Sequence, residues 1–344
     1  MMSNEIASVD EEKSSDDMPL EGKKFPNDMR RAFLSVSSKT KEIVQTSLRN
    51  VQKGVDASVS VVAGLTETPE KAQDVMVESV DEALDKLKAM VEIEKETAQQ
   101  RPQKWNFATV PLEPFQKTLD DVFLAFLLWA KVDDSNQFNV SRAFERLTAY
   151  ATWMDNTGRD MIDPPLNVDS IRQAWKEWNM KVSYDKAGHF VWWLDFSDID
   201  LERVKAIPVD ENLRLFVWFS HFAMFDLQAQ HNGCVLVKNL GKIQFWNSLT
   251  LLNPKLAHKI DRLTIGTMPV KMKQIYVCES PQWAHILVKL MMPFLSPVVK
   301  DRLVFLGNPK ILEDILGLDC IPVGFLGTQG RLEKDIVWAA FPME

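Results

Sequence analysis

The chain has 344 residues, 46% hydrophobic content and a formal net charge of −8, which allows one core of roughly 150 to 200 residues plus extensions. The acidic balance argues against general nucleic-acid binding. The longest apolar run, Val122 to Ala130, is far short of the roughly 20 residues a bilayer-spanning helix needs. The start MMSNEIASVDEE lacks the features of a secretory signal, so the expected location is cytoplasmic.

Taken in order, residues 1–28 are acidic and poor in aromatics, a composition expected to stay disordered. Residues 29–100 read as an amphipathic helical extension. Within it, Val44, Leu48, Val51, Val55, Val59 and Val62 recur three or four apart, giving a helix that either lies on a membrane or pairs with its neighbour. That neighbour is expected to run from Thr68-Pro69 to about Ala98, with Met76, Val80, Ala83, Leu87, Met90 and Val91 as its stripe. The narrowness of both stripes favours mutual pairing. Residues 101–115 are proline-rich and aperiodic, a linker.

A helical region, 116–180, follows. It holds a buried helix over Leu119 to Lys131, a second from Phe138 to Met154 capped by Asn139, and a third from Val168 to Trp178. Residues 181–330 then alternate strand and helix: strand Phe190 to Phe196, apolar helix Asn212 to Gln228, a QHNG turn, strand Cys234 to Lys238, helix Pro254 to Ile265, strand Gln274 to Cys278 and strand Arg302 to Leu306. This alternation predicts an α/β fold with a mainly parallel sheet. Between the last two strands, Ser280-Pro281 starts an apolar helix carrying Trp283, Ile286, Leu287, Leu290, Met291, Phe294 and Leu295, broken by Pro293. Residues 331–344 form a C-terminal tail.

The three cysteines, Cys234, Cys278 and Cys320, lie far apart and read as reduced core thiols. None of the five histidines has metal-ligand spacing, no glycine loop cradles a phosphate, and Ser220-His221 lies inside an apolar helix, away from any strand-to-helix elbow. The expectation is therefore no enzyme, no metal and no cofactor.

Several of these residues resemble the CRAL-TRIO lipid-binding family. Phe138-Asn139-Val140, Ala143, Leu147, Tyr150 and Trp153 are similar to its helical lead-in, although Asn139 stands where the family has Asp. The order of strands and helices from 190 to 307 is similar throughout. Pro269, Lys271, Lys273, Ile275, Pro281, His285, Pro293-Phe294-Leu295, Arg302 and Gly307 resemble the tocopherol- and retinaldehyde-carrier branch. The fungal phosphatidylinositol/phosphatidylcholine exchangers match less well, since Val270 stands where they place Glu.

The resemblance implies a CRAL-TRIO fold with a mobile lid helix, the apolar helix that begins at Trp283. It implies a lipid pocket lined by Leu213, Phe216, Val217, Ser220, Cys234, Leu236, Ile260, Leu263, Thr264, Met268, Met272 and Ile275. Lys238 replaces an apolar pocket residue of the carriers. Lys271, Lys273, Lys300 and Arg302 are implied to bind anionic, phosphoinositide-type head groups, with Lys271 and Lys273 expected on one face by strand alternation. The function implied is binding of a hydrophobic lipid monomer and its transfer or presentation at an anionic membrane, with peripheral membrane association. An alternative is a membrane-associated adaptor or lipid sensor whose N-terminal helices recruit a protein partner.

Overall fold

A computed structural model describes residues 75–98, 117–132, 135–156, 158–163, 166–241, 243, 267–285 and 297–337. The expected acidic tail, the 39–62 helix, the linker, the helix over 254–265 and the lid beyond His285 lie outside the described residues. One compact unit, Gly54–Glu344, contains everything described.

In chain order the elements are β1 (Met76–Val77), α1 (Val80–Ala98), α2 (Leu119–Ala130), β2 (Phe138–Asn139), α3 (Val140–Asp155), α4 (Arg159–Ile162) and α5 (Val168–Trp178). Then come β3 (Lys181–Tyr184), β4 (Phe190–Asp195), α6 (Leu201–Ala206), α7 (Val209–Phe225), α8 (Leu227–Asn232) and β5 (Cys234–Asn239). The last are β6 (Met272–Cys278), α9 (Pro297–Arg302), β7 (Leu303–Leu306) and α10 (Ile311–Leu316).

Helix starts follow local capping chemistry. Thr118 and Asn167 form capping boxes with Asp121 and Ser170, and the Asn139 side chain accepts from the Arg142 amide at 2.9 Å. The expected helix from Thr68 to Ala98 is corrected here, because Met76–Val77 is extended and pairs antiparallel with Phe138–Asn139. The Val140 amide donates to the Val75 carbonyl at 2.9 Å, which fixes that extended run. The helix begins only at Val80, and its Ala83, Leu87 and Val91 are buried in the same apolar cluster as α2 and α3. The long apolar helix also divides. It runs as Val209–Phe225, then Asp226 breaks it and caps α8 through the Ala229 amide at 2.7 Å.

The sheet order is β3-β4-β5-β6-β7. β3 and β4 are antiparallel and every other pair is parallel. Sequence periodicity missed β3, whose KVSY pattern offers few apolar residues. Strand alternation splits the sheet's side chains into two cores. Phe190, Leu194, Cys234 and Leu236, with Trp192, Met272 and Ile275 at their margin, belong to the cluster shared with α2, α3, α5 and α7. Val191, Trp193, Val235, Val237 and Cys278 belong to a second cluster with α10 and Phe325. Burial on both faces explains why FVWWLD and CVLV read as near-continuous apolar runs.

Val337 is fully buried in the first cluster, so the start of the C-terminal tail packs back onto the domain. All three cysteines are free and buried, and burial pushes the Cys278 and Cys320 thiols up to about 12. Among the described residues, no helix is long and apolar enough to cross a membrane.

Candidate functional site

One wall of the expected lipid pocket is α7, the other the sheet face opposite it. Leu213, Val217 and Ser220 are buried on α7, and Phe216 packs edge-on against Trp178 with ring centroids 5.7 Å apart. Cys234 and Leu236 face the same layer from β5, with Leu236 in register with Trp192 on β4 and Ile275 on β6. Met268 is buried in the approach to β6, and Met272 and Ile275 are partly buried. The structure therefore brings eight of the twelve expected lining residues into one apolar cluster and its margin, with Ser220 buried on α7 beside them; Ile260, Leu263 and Thr264 lie outside the described residues. The Ser220 hydroxyl donates to the Phe216 carbonyl at 2.8 Å, so its free capacity is as an acceptor.

Behind this wall lies a polar pair that the sequence did not point to. His221 is fully buried, with Nδ1 2.7 Å from the Val217 carbonyl and Nε2 2.7 Å from the Tyr150 hydroxyl. A carbonyl only accepts, so Nδ1 carries the proton, and Nε2 of the neutral ring accepts from tyrosine. Burial depresses the His221 pKa to about 4, opposed in part by the hydrogen bond to Val217. This histidine ties α3 to α7 from inside the core, and both of its ring nitrogens are satisfied there.

Of the expected lid, the described part is its first turn. The Trp283 indole donates to the Ile243 carbonyl at 3.2 Å and packs on the apolar cluster. Ser280 is bonded to His285 Nε2 at 2.6 Å, and the Pro281 carbonyl accepts from the Ala284 amide. Ile286, Leu287, Leu290, Met291, Phe294 and Leu295 fall outside the described residues.

The cationic residues separate into two groups. Lys271 and Lys273 line a cavity of about 570 Å³ with Lys131, Val132, Ser135, Asn136, Ala187, His189, His231 and Asn232. That volume is in the range of small-molecule sites. Strand alternation alone did not produce this pairing. The ladder shifts register between Cys234 and Val235, so that Cys234 pairs with Met272 and Val235 with Gln274. Lys273 is the extra residue of that bulge.

Gly233 makes the arrangement fit. Its φ is +89°, and a Cβ there would lie 2.7 Å from the Lys271 carbonyl and 2.8 Å from Lys273 Cγ. Lys271 Nζ donates to the Lys131 carbonyl at 3.3 Å, and His189 Nδ1 is held by the buried Asp185 carboxylate at 2.8 Å. Asp133 and Asp134, between two lining residues in the chain, are outside the described residues. Lys300 and Arg302 do not line this cavity. They close α9, one strand over from Lys273, where the Arg302 carbonyl accepts from Gln274 at 2.9 Å. Arg302 thus ends a helix, and the expected strand begins one residue later.

The approach to β6 is fastened by a residue that sequence reading did not single out. Arg146 on α3 donates to the Met268 carbonyl from Nε at 3.0 Å and from Nη2 at 2.7 Å, with its guanidinium 4.2 Å from the Trp129 ring centroid. Burial, then the nearby Arg142, lowers its pKa to about 10, so it stays charged at neutral pH. The signal that could have found it is an arginine on the apolar-leaning face of an otherwise regular amphipathic helix.

Residues 177–327 match the model of the CRAL/TRIO domain family. The chain is also similar to the crystal structure of Sfh5, at 14% identity, over 75% of this chain and 89% of that one, with a TM-score of 0.43. No curated protein matches the sequence. The matched stretch contains all five strands of the sheet, and the mainly parallel, helix-flanked architecture expected of a CRAL-TRIO fold is the one observed.

Proposed function

We propose that this protein binds a hydrophobic lipid monomer between α7 and the sheet, in the manner of the tocopherol- and retinaldehyde-carrier branch, and transfers or presents it at an anionic membrane. The observation that carries the reading is the CRAL/TRIO match over 177–327 coinciding with an apolar wall drawn from α7, β5 and β6. Burying a chain of about a dozen methylenes is worth roughly 10 kcal/mol at about 0.8 each, enough to hold a lipid out of water with few polar contacts.

The lid helix that begins at Trp283 covers the ligand in solution and exchanges its apolar contacts for lipid tails at the bilayer. Lys271 and Lys273, in their cavity with Lys131 and two histidines, take the anionic head group, and Lys300 and Arg302 extend the positive charge along the sheet. Each cation near an anionic surface contributes about 1 kcal/mol.

Two experiments test this. Native mass spectrometry of protein purified from cells should find a bound lipid of defined mass; persistent recovery of ligand-free chain would remove the carrier reading. In vesicle-to-vesicle transfer, Trp283→Asp and a Lys271→Ala, Arg302→Ala pair should each slow transfer several-fold while leaving the fold intact by circular dichroism. Wild-type transfer rates in both variants would remove the lid and head-group mechanism.

A further inference from the structure

We infer that the α2–α3 edge beside the basic cavity is the surface by which the protein docks on an anionic bilayer, with Arg142 and Arg146 taking lipid phosphates around Trp129. The inference rests on the membrane reading above and gives it an orientation. Trp129, in the last turn of α2, is half-buried. Two guanidiniums from one face of α3 stand against its ring, Arg142 at 4.4 Å and Arg146 at 4.2 Å from the centroid. Residues four apart on a helix are neighbours, so these like charges repel. Arg142 also sits in the first turn of α3, where the helix dipole disfavours a cation and where this helix carries no acidic residue.

Among the described residues, no carboxylate relieves this. Glu145, between the two arginines on α3, is exposed and forms an ion pair with neither. The charge felt by Arg146 is that of Arg142. Arg142 is exposed, so its fork of N–H donors is open to a phosphate arriving from outside.

The patch is not purely ionic, and that favours a bilayer over a nucleic acid. Val132 is 39% exposed close to the Trp129 indole in the chain, and water–lipid interfaces suit this mixture of aromatic, aliphatic and basic side chains. The patch is also continuous with the cavity. Lys131 and Val132 line its wall, and Arg146 bonds to the Met268 carbonyl on the approach to Lys271 and Lys273. A bilayer seated here lies at the rim through which a head group enters.

The test is cosedimentation of the full-length protein with phosphatidylcholine vesicles that contain or lack phosphatidylserine. Each cation near an anionic surface changes binding about fivefold, so Arg142→Glu, which removes one charge and adds its opposite, should weaken binding to the phosphatidylserine vesicles about twenty-five-fold. Arg142→Lys keeps the charge and should stay within about threefold of wild type. Lys310→Glu makes the same reversal at the start of α10, which packs on the other face of the sheet, and should also stay within about threefold. Both positions are exposed, so neither variant removes core packing. With no substitution at all, phosphatidylserine vesicles should slow hydrogen exchange of wild type in the last turn of α2 and the first turn of α3. Undiminished binding of Arg142→Glu, an equal loss in Lys310→Glu, or protection confined to other elements overturns the docking surface while the membrane reading stands. Wild type that ignores phosphatidylserine vesicles, or binds RNA in their place, overturns the membrane reading itself.

Discussion

Acidification should destabilise the domain through His221, and replacing that residue should remove the effect. Folding depresses its pKa from an ordinary value of about 6.5 to about 4, because burial penalises the imidazolium. The neutral ring is the form the folded core accepts. Its contribution is therefore intact above pH about 6.5 and is lost as pH falls toward about 4. Linkage puts the full loss at about 3 kcal/mol, with about 2 kcal/mol of it between pH 7 and pH 5. The assay is urea unfolding followed by the fluorescence of the eleven tryptophans, at both pH values, for wild type and His221→Gln. Other groups titrate in both proteins and cancel in the difference. The variant should be less stable at pH 7, where the bond from Tyr150 is lost, and should lose about 2 kcal/mol less than wild type on acidification. An equal pH loss in both proteins, or an imidazole resonance of His221 that titrates near its ordinary value, would refute the argument.

Two further outcomes follow from the geometry around the cavity. Gly233→Ala should cost roughly 2 to 4 kcal/mol in urea unfolding, since it combines a positive φ with a Cβ 2.7 Å from the Lys271 carbonyl. A loss within about 0.5 kcal/mol would mean that the turn relaxes freely. Arg146→Gln removes two bonds to the Met268 carbonyl and a guanidinium stacked on Trp129, with an expected loss of about 2 kcal/mol. It should also speed hydrogen exchange at the Cys234 amide, which is bonded to the Lys271 carbonyl at 2.7 Å; unchanged exchange there would separate Arg146 from the cavity.

The legible parts of this chain were those written in short-range chemistry. Val168–Trp178 begins and ends where it was expected, and Asn139 caps α3 as its position suggested. The strand that opens at Gly233 and the apolar face of α7 were readable for the same reason, since repeat spacing and turn residues act over a few positions. Misread stretches were those whose conformation depends on a distant partner. Met76–Val77 fits a helical stripe by spacing but is held extended by Phe138–Asn139, about sixty positions on. The Ser79-to-Glu82 spacing was the local clue to the true helix start.

By itself, then, the amino-acid order determined an α/β chain with a capped helical lead-in and short apolar strands, while the expected lining residues came from the family resemblance. Only the tertiary structure decided that Lys271 and Lys273 share a cavity with Lys131, His189 and His231, while Lys300 and Arg302 stand apart from it. It also set the register that places Lys238 between Leu194 and Val277 in the sheet. The physical reason is that periodicity and capping are interactions between near neighbours along the chain. A cavity is assembled instead from segments more than a hundred residues apart, whose meeting is fixed by strand register, one bulge and one glycine.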